Sequence, residues 1–149
     1  MDKILLERLT VFFSSDMGEM FVGEGVDEKE VQSMEVALGI DFDEGYRDYI
    51  KNFGGSFVGV PVYAANNNSM LSDETVVELN RKLRLEYESD PRGEGLTKSL
   101  VFSVTDMGDP IMVNPEGKIV TFYHDDSEVE ELACSFDDYI ETLLQGFEG

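Results

Sequence analysis

Residues 26–55, which read VDEKEVQSMEVALGIDFDEGYRDYIKNFGG, constrain the fold of this chain more than any other stretch. Apolar side chains recur there at helical spacing, which predicts two short amphipathic helices. Asp27 and Asp43 precede the two helices as N-caps, and Gly39 ends the first of them. The segment is therefore predicted to be a tightly joined helix pair, closed by a double glycine.

The rest of the chain alternates between helical and strand patterns. Short turns join consecutive strands, which favours antiparallel pairing and an α+β fold. A polar, acidic connection is expected between the last strand and the last helix, over residues 124–131. The predicted helices are 2–13, one capped by Ser72 and one capped by Ser135, and the predicted strands are 57–63, 100–104, 110–113 and 119–123.

The length of 149 residues suits one domain with one core. No stretch is apolar for long enough to span a bilayer, and the N-terminus lacks the pattern of a secretory signal, so we expect a cytoplasmic protein without membrane contact. The single cysteine, Cys134, excludes an intramolecular disulfide. Neighbouring carboxylates oppose its thiolate, so Cys134 is expected to be inert and partly buried.

The charge balance is strongly acidic, with 32 acidic against 11 basic residues and a net charge of −21. This charge argues against direct binding of nucleic acid, because a phosphate backbone needs basic side chains to neutralise it. The charge is compatible with a basic protein partner, since complementary fields accelerate encounter. Taken alone, the charge is better explained by solubility.

The residues that usually carry out catalysis are scarce. His124 is the only histidine and stands ten residues from Cys134, so a nucleophile–base pair is not indicated. One histidine and one cysteine do not make a zinc site. Residues 41–45 begin like a calcium loop, but the later ligand positions fail. No catalytic, cofactor or metal residue is therefore predicted, although two of the many carboxylates converging in a hydrolase site remain an alternative.

The carboxylates are unevenly distributed. No lysine or arginine follows Lys118, and the acids of the last helix favour its N-terminus, whereas those of the preceding segment have no such local explanation. Two interpretations stay open for that segment, a solvated acidic loop or a docking patch for a basic partner. The candidate partner-binding residues are Asp125, Asp126, Glu128, Glu130 and Glu131.

Three blocks carry a family resemblance: EVxxMExxLGIDFDEGYRDYIKNFGG at 30–55, GDPIMVNPEGKIVTFYHD at 108–125, and SFDDYIETLL at 135–144. In this order they resemble the SUKH superfamily of bacterial immunity proteins and fungal cell-wall regulators, and most of all the YobK-like bacterial immunity group. The positions that match the family's structural motif are Gly39, Tyr46, Gly54, Gly55, Gly108 and Asp109.

The resemblance implies a single compact α+β domain over residues 1–149, with an antiparallel sheet of about four to six strands packed by about five helices. It also implies a non-enzymatic immunity protein, without cofactor, that binds and neutralises a cognate toxin, expected here to be a basic nuclease. The alternatives are a regulatory interaction module of the cell-wall type, without a toxin partner, and an acidic mimic of nucleic acid. Monomer and homodimer both remain open.

Overall fold

The computed structural model describes residues 1–123 and 128–148, and within them six α-helices and six β-strands follow one another. The α-helices are α1 (Lys3–Phe13), α2 (Glu28–Leu38), α3 (Glu44–Phe53), α4 (Val76–Glu86), α5 (Gly93–Lys98) and α6 (Phe136–Glu148), with a short 3-10 helix at Gly18–Met20. The strands are β1 (Ser56–Phe57), β2 (Pro61–Val62), β3 (Leu100–Val104), β4 (Pro110–Val113), β5 (Ile119–Phe122) and β6 (Val129–Ala133). They form two antiparallel sheets, so the predicted α+β class is confirmed.

The larger sheet has the strand order β3-β4-β5-β6, every pair being antiparallel. Val101, Met112 and Val120 are register partners across three strands and share one face of this sheet. Helices α4 and α5 pack over that face. Helix α6 packs on the opposite face through Phe136, whose ring centroid lies 5.2 Å from that of Phe102. The sheet is thus covered by helices on both faces, with the core on each side of it.

The ring of Phe136 is the centre of an aromatic cluster that joins α3 to the sheet. Its centroid lies 5.7 Å from that of Tyr46 and 5.8 Å from that of Tyr49, both in edge-to-face geometry. All three rings are fully buried or nearly so. The Tyr46 hydroxyl donates a hydrogen bond of 2.6 Å to the Tyr63 carbonyl, so this buried polar group has a partner.

The helix pair α2–α3 is formed by the caps that its sequence predicts. The Asp27 carboxylate accepts from the backbone N–H of Glu30 at 2.8 Å, and Asp43 caps α3 in the same way. Gly39 ends α2 with a φ of 69°, in the left-handed region that glycine adopts without strain. Gly54 ends α3 with a φ of 61°, and a β-carbon there would lie only 2.0 Å from the Glu24 carbonyl oxygen. Gly39 and Gly54 are therefore both required by the backbone conformation at the ends of the two helices.

The predicted single strand over residues 57–63 is wrong. The chain reverses at Gly59, whose φ is 99°, and the two halves pair as the short hairpin β1–β2. The Val58 N–H donates to the Val60 carbonyl at 3.1 Å across this reversal. Glycine permits the turn because it has no β-carbon to clash in this conformation, and the apolar residues on either side gave no signal of it.

Two further details of the helical prediction are also wrong. Helix α4 is capped by Thr75 rather than Ser72, because Thr75 and Glu78 form a reciprocal capping box with bonds of 3.2 and 3.0 Å. The short helix α5, which follows Asp90, is missing from the predicted helices. Two of its six residues are glycines, which have a low helix propensity, so the local sequence does not indicate a helix.

Asn80 of α4 joins that helix to the outer edge of β3. Its amide group donates to the carbonyls of Val76 and Val101, at 2.8 Å each, and its carbonyl oxygen accepts from the Val101 N–H at 2.9 Å. The side chain is fully buried. The single side-chain amide of Asn80 satisfies both backbone groups of Val101. It therefore makes the hydrogen bonds that a neighbouring strand would otherwise make at this position.

We predict that Tyr46→Phe destabilises the protein by about 1–3 kcal/mol, because the change leaves the Tyr63 carbonyl without its buried donor. The measurement is the free energy of unfolding in urea. The matched control is Tyr139→Phe, since the Tyr139 hydroxyl makes no hydrogen bond to any described residue, and we expect a loss within about 0.5 kcal/mol. Equal losses in the two variants would contradict the stabilising role given to the Tyr46 hydrogen bond.

We predict that Asn80→Ala lowers the free energy of unfolding by about 1–3 kcal/mol and accelerates hydrogen exchange at the Val101 amide. The control is Asn52→Ala, which makes the same change of residue on an exposed helix position and should shift stability by about 0.5 kcal/mol or less. Unchanged exchange at Val101 would contradict the role given to Asn80.

Candidate functional site

The acidic segment predicted as a connection is in part a strand. Strand β6 begins at Val129, so Glu130 and Glu131 lie within the sheet and Glu128 directly precedes it. Glu128 and every β6 residue before Ala133 are exposed. Among residues 1–123 and 128–148, only β5 pairs with β6, which makes it an edge strand. Asp125 and Asp126, together with His124, lie outside the described residues.

The two carboxylates of β6 point to opposite faces of the sheet. Glu130 accepts a hydrogen bond of 2.8 Å from the Tyr123 hydroxyl, and this bond raises the pKa of Tyr123. Glu131 forms an ion pair of 3.2 Å with Lys118, which raises the pKa of that lysine. Both contacts lie at the surface, where such pairs contribute little to stability and exchange readily with water or another partner.

Each face of β6 also carries an exposed apolar side chain. Val129 is 55% exposed and lies on the face of Glu131, whereas Leu132 is 37% exposed and lies on the face of Glu130. Sequence reasoning selected the acids and missed these two residues. We call residues 128–132 the acidic edge. Its exposed surface is mixed, with an acid and an apolar group on each side.

A depression flanks the acidic edge on each face of the sheet. On the Leu132 side, a cleft of about 340 Å³ opens between the β1–β2 hairpin, the sheet and α6, and Phe57, Tyr123 and Tyr139 line it. On the Val129 side, a mainly apolar groove of about 380 Å³ opens beside α5, and Phe122 contributes to its floor. Side chains of a bound molecule would therefore find apolar surface on both faces.

Arg92, one of two basic residues that line the groove, is held in place by contacts within the protein. The Arg92 guanidinium lies 4.4 Å from the centroid of the Phe122 ring and donates to the Tyr123 carbonyl at 2.8 Å. It also bonds the Asp90 carboxylate, which lowers the pKa of Asp90 to about 2. Arg92 thus fixes the end of β5, and with it the point from which the chain leads to β6.

The acids of α6 are used differently from those of the acidic edge. Arg8 of α1 bonds to Glu141 at 2.6 Å and also pairs with Glu148. Asp137 accepts from the backbone N–H of Asp2 at 2.8 Å. The acidic residues after Lys118 therefore differ in their contacts. Three of those in α6 bind α1 or the residue before it, whereas the two in β6 bind elsewhere.

Cys134 follows β6 directly and is exposed, so the expectation that it is partly buried is wrong. Its thiol bonds to the Asp138 carboxylate, and this contact raises the pKa of the thiol. A raised pKa keeps the sulfur protonated at neutral pH, which makes it a poor nucleophile. In the described part of the chain no three carboxylate, cysteine or histidine side chains gather as a metal ion would require.

The matching positions of the family motif lie in helix ends, in the core and in one turn. Gly39 and Gly54 end α2 and α3, and Tyr46 lies in the core. At Gly55 a β-carbon would lie 1.9 Å from the Asn67 side-chain oxygen. Gly108 has a φ of 84° in the turn before β4. Asp109 is buried there and its backbone N–H donates to the Thr105 hydroxyl at 3.1 Å. None of these positions belongs to the acidic edge.

No described helix is both long and apolar enough to cross a membrane. Among curated proteins, none matches the chain. A family model described as SMI1-KNR4 cell-wall, within the SUKH group, matches residues 7–145. Because this match extends over nearly the whole sequence, the chain belongs to the SUKH superfamily.

Proposed function

We propose that this protein is a non-enzymatic immunity protein that binds and neutralises a cognate toxin, and that the toxin is a basic nuclease. The observation that carries the proposal is the acidic edge, an exposed strand in which acids and apolar residues are both available to a partner. Membership of the SUKH superfamily, which includes immunity proteins, supports it. Asp125, Asp126, Glu128, Glu130 and Glu131 are the proposed contact residues.

The electrostatics of a nuclease favour this pairing. An enzyme that holds a phosphate backbone presents basic side chains at its active site. A protein of net charge −21 is attracted to such a surface from a distance and associates with it quickly. Occupation of the basic cleft by carboxylates would exclude the nucleic acid. The complex is expected to form in the cytoplasm, where the substrates of such a toxin are found.

A second candidate is a regulatory module that binds endogenous proteins and has no toxin partner. The observation that favours it is the family description, which refers to the cell wall. The two candidates share a binding role without catalysis and differ only in the partner. The deciding result is whether the protein protects cells from a toxin.

We predict that a neighbouring gene encodes the toxin, that co-expression of this protein with that toxin restores growth, and that the two proteins purify together. The double variant E130K/E131K should weaken the complex by about tenfold or more, since reversed charges at a complementary interface oppose binding. The measurements are cell survival and the Kd of the purified pair at two salt concentrations.

The matched control is E7K/E19K, which changes the net charge equally at exposed acids that make no ion pair with any described residue. It should protect cells as the unaltered protein does. If both variants lose binding equally, net charge rather than the acidic edge accounts for the interaction. Absence of protection and of any complex with the unaltered protein would reject the toxin-neutralising role.

A further inference from the structure

The two edges of the larger sheet differ in whether their backbone groups are satisfied. At β3, Asn80 bonds both backbone groups of Val101, and the Tyr63 N–H donates to the Phe102 carbonyl at 2.9 Å. At β6, no described residue pairs with the side that faces away from β5. An unpaired edge offers a row of donors and acceptors that another strand can complete. The sheet is thus closed at β3 and open at β6.

The side chains of β6 specify which strand would fit. Val129, Glu130, Glu131 and Leu132 read apolar, acidic, acidic, apolar along the strand. Directly opposed residues of paired strands have neighbouring side chains, so opposite charges attract and apolar pairs bury surface. The complementary strand therefore reads apolar, basic, basic, apolar. This pattern is the same in both directions, so side-chain matching permits parallel and antiparallel addition alike.

We propose that the outer edge of β6 binds an extended segment of a basic protein partner by strand addition, and that the segment carries two adjacent basic residues flanked by apolar ones. The identity of that partner as a toxin rests on the proposed function. The mode of binding is independent of it, because it follows from the open edge and from the order of residues along β6.

The surroundings of β6 suit such a strand on both faces. Its side chains would alternate between the cleft beside Leu132 and the groove beside Val129. Phe57 and Tyr139 would receive an apolar side chain on the first face, and Met112 and Phe122 on the second. The basic residues would meet Glu130 and Glu131, whose present partners Tyr123 and Lys118 are surface groups.

A second copy of this chain is a poor occupant of the same edge. Antiparallel pairing of two β6 strands centred on the two glutamates would bring acid opposite acid, and like charges in direct opposition are destabilising. Charged residues on an edge strand are a common protection against self-association. The same two acids that disfavour self-pairing would therefore select a basic strand.

The test uses the whole chain and a capped peptide. The peptide has the same length as β6, five residues, and its sequence is VKKVV. Nuclear magnetic resonance should show cross-strand contacts between peptide and β6, and hydrogen exchange at β6 amides should slow by about tenfold or more on binding. Two control peptides are a version with glutamate in place of lysine and a version with N-methylated amides on the pairing side. Neither control should bind.

A charge exchange makes the test specific for the acidic edge. The E130K/E131K variant should lose the lysine peptide and bind the glutamate peptide, whereas E7K/E19K should behave as the unaltered protein. Circular dichroism and melting temperature show whether each variant is folded. No binding at millimolar peptide, contacts away from β6, or binding by the N-methylated peptide would overturn strand addition. A dimer joined through β6 would overturn it as well.

The outcomes for strand addition and for toxin neutralisation can be told apart. If the protein protects cells from the toxin while the peptide does not pair with β6, the immunity role stands and strand addition fails. If the peptide pairs with β6 while the toxin is not neutralised, strand addition stands and the partner is a different basic protein.

Discussion

One aromatic joint, formed where α3, β3 and α6 meet, is the contact on which the rest of the fold depends. Phe136 is buried there against Tyr46, Tyr49 and Phe102, in edge-to-face contacts of the kind that stabilise by about 0.5–1.5 kcal/mol each beyond the burial of their surface. The joint fixes α3 and the last helix to the same face of the sheet. Because α6 follows β6 almost directly along the chain, the end of β6 is anchored by the same contact.

Much of the fold could be predicted because local signals and tertiary packing agree. Helices α2 and α3 have caps, stops and apolar stripes that all indicate the same ends, and strands β3 and β4 are apolar runs between clear turns. The β1–β2 hairpin could not be predicted, since one glycine within an apolar run fits a bulge as well as a reversal. Helix α5 is held by its position between α4 and β3, which is a tertiary constraint that no local pattern records.

The negative charge of the candidate site could be predicted from the sequence, but its secondary structure and the direction of its side chains could not. The excess of acids after Lys118 is visible in the sequence. That Glu130 and Glu131 occupy a strand depends on register with β5, because β6 lacks the alternation of apolar and polar residues that indicates a half-buried strand. The roles of Val129 and Leu132 also depend on register, which decides the face to which each side chain points. Which acids remain at the surface was likewise decided by packing, as the pairing of Arg8 with α6 illustrates.

The closure of β3 by Asn80 has a consequence for stoichiometry. A sheet with two open edges can add a strand at one side and present a new edge at the other, so that successive molecules polymerise. Here the side-chain amide of Asn80 and the N–H of Tyr63 occupy outer backbone groups of Val101 and Phe102 in the middle of β3, which obstructs the addition of a strand on that side. Addition at β6 would occupy the sheet's one available terminus and leave this subunit unable to propagate a chain. An assembly built in this way is finite, with one partner to each copy.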